Sequence, residues 1–155
     1  MASQELVDRV KLNEGSISYQ KKTGTYISNK FQLYKDTLGF WTIGYGHLCS
    51  TSEVQKYKDG ITETAAGLLL MQDVFAAEQG ALRLFEMNRH SEAVQDVLIE
   101  MVFQLGERKA KGFVKFKAAL DSKDYKTAAS ELKNSSWYKQ TTNRVKRHID
   151  VLLAA

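Results

Sequence analysis

The sequence predicts an α+β protein, mostly α, with a small β-containing N-terminal lobe, a long connecting helix and a helical C-terminal lobe. Three observations carry this reading. Apolar residues recur at helical spacing through most of the chain beyond residue 60. Tyr, Ile, Thr and Phe instead crowd the stretch from Ser16 to Leu48, between turn signals at Lys22-Thr23-Gly24, Ser28-Asn29 and Leu38-Gly39. The third is the absence of proline and of any repeat or low-complexity tract in 155 residues, which marks no linker and points to a single domain.

Within that domain, residues 14–60 form the β-containing lobe, 61–85 the connecting helix, and 86–155 a helical lobe packed with helix 4–13. Ser3 caps the first helix, Gln4 to Asn13, whose apolar stripe is Leu6, Val7 and Val10. Glu14 lies four residues beyond Val10 on that stripe, and Gly15 suits the left-handed residue that ends a helix. Hairpins are expected from Ser16 to about Leu48. Thr62 caps the long helix, which runs through Leu68, Leu69, Met71, Val74, Phe75 and Ala81 to about Phe85. Ser91 opens another helix, with Val94, Val97, Leu98, Met101, Val102 and Leu105 at helical spacing, the mark of a helix buried at the centre of a bundle, and Gly106 ends it. Shorter amphipathic helices follow at Gly112 to Leu120, Tyr125 to Leu132 and Thr142 to Leu153, with a single turn at Ser136 to Tyr138.

Composition narrows the function classes. Hydrophobic residues make up 43% of the chain, enough for a sizeable core, so disorder is excluded. No run approaches the roughly 20 apolar residues that span a bilayer, and the N-terminus lacks the regions of a secretory signal, so neither stable membrane insertion nor self-export is expected. The single cysteine, Cys49, cannot form an internal disulfide. One cysteine and three histidines show no metal-ligand spacing, and no cofactor is expected. The net charge of +4 comes from clusters at Arg108 to Lys117 and Arg144 to Arg147 and favours an anionic partner. A solvated helix face explains such clusters equally well, and without a stacking platform or recognised motif nucleic acid is not expected.

The chemistry concentrates in Leu33 to Leu48, LYKDTLGFWTIGYGHL, downstream of Glu14. Glycoside hydrolysis needs one carboxyl to protonate the leaving oxygen and another to support the attacking water or the developing charge; Glu14 and Asp36 offer these, with Thr42 nearby. A carboxyl on an apolar stripe at the C-terminal end of a helix, where added negative charge is disfavoured, suits proton donation. Asp36 alone would be a turn residue accepting backbone hydrogen bonds. With Thr42 returning on the opposing strand of a tight hairpin, carboxylate and hydroxyl could face each other and hold one water. Gly44 and Gly46 lack the helix and lysine-serine pair of a phosphate loop and are expected to let a sugar or backbone approach closely. His47 and Cys49 share a strand face, but a cysteine-histidine nucleophile lacks its third, orienting group. Trp137 could stack on a pyranose while Gln104 hydrogen-bonds a sugar substituent, or the Trp-Tyr pair could be core packing. Tyr45, Phe40 and Trp41 are further cleft candidates.

Glu14-Gly15, Tyr34-Lys35-Asp36-Thr37, Gly39 and Thr42-Ile43-Gly44-Tyr45-Gly46-His47 resemble the active-site signature of bacteriophage lysozymes of the T-even phage type. Met101 to Glu107, Trp137 to Thr141, Asn143-Arg144 and Arg147 recur in that family in the same order. The resemblance spans about Leu6 to Val151 and implies a lysozyme-like fold. It implies Glu14 as general acid, Asp36 and Thr42 positioning water, and inversion at the sugar carbon, with the carboxyls roughly 6.5 to 9.5 Å apart. It further implies Arg144 orienting the acid, a structural ion pair between His47 and Asp73, and Gln104, Trp137 and Tyr45 as sugar contacts.

Two departures from the family pattern stand out. The segment between Glu14 and Asp36 is longer, which predicts an extra or extended hairpin. The stretch between His47 and Thr62 is shorter, which predicts loss of most or all of a small helix. The implied activity is that of a peptidoglycan muramidase, a bacteriolytic phage hydrolase cleaving between N-acetylmuramic acid and N-acetylglucosamine. The alternatives are a lytic transglycosylase, which needs no water-positioning acid, and a non-catalytic wall-binding basic module. The expected partner is bacterial peptidoglycan and the expected state a monomer, unless the chain is a module of a larger virion protein. Its expected location is the host cytoplasm before it reaches the wall, or the virion tail.

Overall fold

The structure, a computed structural model, describes residues 2–155. The described residues divide into two compact units, Gln4–Phe75 and Ala76–Ala155, the latter joined by Ala2 and Ser3. The result is a mostly α, α+β fold with a small antiparallel sheet near the N-terminus.

In the first unit, α1 (Gln4–Gly15) buries Leu6, Val7 and Val10, the stripe its sequence predicts. It runs two residues further than expected, taking in Glu14 and closing on Gly15 at φ +124°. Ser16 then caps a second helix, α2 (Ile17–Thr23), where the sequence suggests a hairpin. Ser16 Oγ accepts the Tyr19 amide and Gly24 closes the helix in the left-handed region, so capping at both ends outweighs the strand preference of Ile17, Tyr19 and Thr23. The extra segment before Asp36 is thus a helix followed by one short hairpin, β1 (Tyr26–Ile27) with β2 (Lys30–Phe31).

A three-stranded antiparallel sheet follows, in the order β3 (Tyr34–Lys35), β4 (Trp41–Ile43), β5 (His47–Leu48). Its register sets Tyr34 opposite Thr42, Lys35 opposite Trp41, Thr42 opposite Leu48 and Ile43 opposite His47. The small helix expected to be missing is present as α3 (Thr51–Lys56). A complete capping box holds it: Ser50 Oγ accepts the Glu53 amide, and the Glu53 carboxylate accepts the Ser50 amide.

The long helix α4 (Glu63–Leu84) starts where Thr62 Oγ1 accepts the Ala65 amide. Its buried apolar side chains are Ala66, Leu70, Val74, Ala77 and Ala81, spaced four, four, three and four apart. Leu68, Met71 and Phe75, which the sequence places in the same apolar run, are exposed instead. A helix apolar on most faces does not disclose which face is covered.

The second unit is built on α5 (Glu92–Leu105), whose Val94, Val97, Leu98, Ile99, Met101 and Val102 are all buried. Around it lie α6 (Glu107–Lys111), which the sequence reading did not mark, α7 (Val114–Asp121), α8 (Tyr125–Lys133), α9 (Ser136–Gln140) and α10 (Thr142–Leu153). Phe116 packs edge-on between Phe85 and Phe113, and Phe113 in turn meets Trp137 edge-on. Ser3 Oγ donates to Asp96, tying the first residues of the chain to α5.

Candidate active site

Glu14 stands in the last turn of α1, where the helix has already used its apolar stripe to bury itself. The turn Gly44-Tyr45-Gly46, between β4 and β5, comes directly against it. A Cβ built on Gly46 would lie 2.6 Å from Glu14 Oε2 and 3.1 Å from its Cβ and Cδ, so only glycine leaves room for the carboxyl there. Gly44 meets Ala66 of α4 in the same way, at 3.2 Å from its Cβ. Both glycines therefore admit neighbouring protein, so of the two expected close approaches the structure shows the one from within the chain.

Asp36 opens the β3–β4 turn. Its Oδ1 accepts the amides of Leu38 and Phe40, both at 2.9 Å, while its own amide donates to the Phe40 carbonyl. Both side-chain hydrogen bonds of the turn fall on Oδ1. Thr42 is buried in the middle of β4, and its hydroxyl donates to the Phe40 carbonyl at 3.1 Å, leaving its lone pairs to accept. The register corrects the expected pairing. Thr42 is directly opposed by Tyr34, and Asp36, two residues beyond Tyr34, is its diagonal neighbour along the hairpin.

Tyr34 is the residue that the sequence reading missed, although it lies inside the motif. Its phenol pKa is raised, first by burial and then by the charges of Glu14, Asp36 and Tyr19, so the hydroxyl is kept neutral. Period two from Asp36 was the available signal.

His47 on β5 is held from both sides. Nδ1 lies 2.8 Å from Asp73 Oδ2 of α4, and Nε2 lies 2.9 Å from Glu53 Oε2 of α3. Its pKa is pushed up to about 9, chiefly by the hydrogen bond with Asp73, against desolvation and with help from Glu53. Glu53 is lowered, mainly by the Ser50 amide that it caps. Cys49 has its thiol pushed up to about 11 by burial and by the nearby Glu53 and Asp73 charges. With both imidazole nitrogens occupied and the thiol protonated, a cysteine-histidine nucleophile has no basis here.

The expected sugar contacts fare unevenly. Tyr45 is only 5% exposed and packs edge-on against Phe31, with the Lys11 ammonium 5.3 Å from its ring centre. Trp137 is 2% exposed, set against Phe113 and tilted over His148. Neither ring offers a free face: for Trp137, core packing, the alternative left open by the Trp137-Tyr138 pair, replaces pyranose stacking, and Tyr45 is packed within the protein instead of lining a cleft. Phe40 and Trp41 are exposed, and Lys35 sits 5.2 Å over the Trp41 ring. Gln104, near the end of α5, donates to Thr141 Oγ1 at 3.2 Å, while its buried carbonyl oxygen has no hydrogen-bond partner. Arg144 lies half-buried in the first turn of α10. Among the described residues no group of histidine, cysteine and carboxylate side chains is placed to hold a metal ion.

The phage lysozyme family model matches residues 26–149. Two proteins of Dictyostelium discoideum, described as probable T4-type lysozymes 1 and 2, are 27% and 30% identical over 146 residues, covering 79% of this chain and 86% and 85% of theirs. Peptidoglycan hydrolase gp36 of Pseudomonas phage phiKMV is 25% identical over 138 residues, which is 89% of this chain but 15% of that protein. A family match over most of the chain, on a mostly α fold with a small N-terminal sheet, leads to one conclusion: the chain belongs to the phage lysozyme family and is a glycoside hydrolase that degrades peptidoglycan.

Proposed function

We propose that the enzyme is a muramidase that hydrolyses the β-1,4 bond between N-acetylmuramic acid and N-acetylglucosamine by inversion. Glu14 donates its proton to the leaving glycosidic oxygen. A water molecule donates one hydrogen to Asp36 Oδ2 and the other to Thr42 Oγ1, so that its lone pair is directed at the sugar carbon as the bond to the leaving oxygen breaks. The water's proton passes to Asp36, and no covalent intermediate forms.

The observation that carries this reading is that one compact unit, Gln4–Phe75, holds all three groups on a continuous frame. The strand bearing Thr42 runs into the turn whose Gly46 is pressed against the Glu14 carboxyl, and the Asp36 turn opens onto the same strand. The peptidoglycan chain is the partner; action on the wall either from the host interior late in infection or from a virion tail fits this chemistry.

The test is mass spectrometry of fragments released from purified peptidoglycan by the wild type and by Glu14→Gln. Reducing muramic acid ends from the wild type, absent with the variant, are expected. Anhydro ends would instead identify a transglycosylase, and undiminished cleavage by Glu14→Gln would remove Glu14 from the reaction.

A further inference from the structure

The helix α2 lies N-terminal to residue 26, where the family match begins, and it carries one residue out of keeping with a surface helix. Gln20 is only 2% exposed. Glutamine is mostly exposed in proteins, and a buried amide must have its polar atoms satisfied. Here all are. Nε2 donates to the Gly15 carbonyl and to the Gly44 carbonyl, each at 2.8 Å, and Oε1 accepts the Thr25 hydroxyl at 3.1 Å. The orientation is fixed by this set, since a flipped amide would turn its oxygen against two carbonyls. The Gln20 backbone is itself anchored, with its carbonyl accepting the amides of Gly24 and Thr25.

The two carbonyls that Gln20 joins belong to different segments. Gly15 follows Glu14 and ends α1, where helix carbonyls lack intrahelical partners. Gly44 follows the strand carrying Thr42 and begins the turn whose Gly46 backs onto the Glu14 carboxyl. The distance between these segments sets where the carboxyl of Glu14 stands relative to Thr42 and Asp36. We propose that Gln20 is a positioning residue for the hydrolysis, clamping the end of α1 to the Gly44 turn through its amide, with Thr25 locking the clamp. The segment that lengthens the chain between Glu14 and Asp36 is then a working part of the site. This inference rests on Glu14 being the general acid.

The experiment compares Gln20→Leu, Thr25→Val and Glu14→Gln with the wild type on purified peptidoglycan, with kcat, KM, the pH-rate profile and Tm measured for each. Assays are run at a temperature where every variant is folded. Gln20→Leu is expected to lose at least about tenfold in kcat with KM within about twofold, and to move the limb of the pH-rate profile that reports the general acid. Thr25→Val, which keeps the amide but frees its rotation, is expected to lose about threefold. A lowered Tm with kcat and pH profile unchanged would make Gln20 merely structural and overturn the proposal. If Gln20→Leu does not fold, Thr25→Val decides by the same readouts. Activity persisting in Glu14→Gln would instead overturn the assignment of the acid, a result distinct from an inactive Glu14→Gln beside a fully active Gln20→Leu.

Discussion

Replacing Gly46 with alanine perturbs the proposed acid by a calculable amount. The new Cβ would lie 2.6 Å from Glu14 Oε2, whereas ordinary contact begins near 3.4 Å, so the oxygen must retreat by about 0.8 Å. The backbone adds its own cost, because Gly46 has φ +78°, a region that costs an L-residue about 1–2 kcal/mol. A displacement near 1 Å at a reacting group reduces the rate by about 10²-fold, equivalent to about 2.7 kcal/mol in the barrier. The variant should therefore fold, with a modestly lowered Tm, and release reducing ends from peptidoglycan about a hundred times more slowly. Gly24→Ala supplies the comparison: φ is +82° there, but a Cβ meets nothing within 4 Å. It should show the backbone cost alone. Equal rates for the two alanine variants, at equal stability loss, would refute the argument that Gly46 exists to make room for the Glu14 carboxyl.

Other expectations follow from the packing and charges. His47 has its pKa raised from 6.5 to about 9, so its protonated form stabilises the fold fully below pH 6.5, and that contribution is lost as pH rises through 9. Allowing for the partial exposure of Glu53 and Asp73, about 2 kcal/mol is at stake. The Tm difference between wild type and His47→Gln should shrink between pH 6.5 and pH 10, and a constant difference would contradict it. Phe116→Ala removes a fully buried ring lying between Phe85 and Phe113 and should cost about 3–5 kcal/mol in denaturant unfolding; a loss below about 1 kcal/mol would mean that the site collapses without a cavity.

Sequence by itself determined the elements whose signals are local. Thr62, Ser91 and Gly106 mark helix ends through side-chain caps and a backbone needing positive φ, and α10 spans the residues that its periodicity gives. The stripe of α1 was legible because its apolar residues recur at helical spacing, and α5 was legible as a buried helix, although its burial runs unbroken from Asp96 to Val102 instead of along one face. So was the grouping of Glu14, Asp36 and Thr42 as candidates, which rests on residue type and order. Where local signals compete, tertiary structure decided. Ile17 to Thr23 reads as strand by side-chain type, yet its caps and the buried Gln20 amide make it a helix. The Ser50-Glu53 capping box was present in the sequence, but the meeting of Glu53 with His47, six residues away, was not. Trp137 and Tyr45 have the chemistry of sugar platforms, and only packing shows that their faces are taken by Phe113, His148 and Phe31. Register likewise chose Tyr34, not Asp36, to oppose Thr42. The reason is physical: periodicity and capping act over a few residues, whereas desolvation and the pairing of polar atoms depend on segments that meet only after the chain has folded.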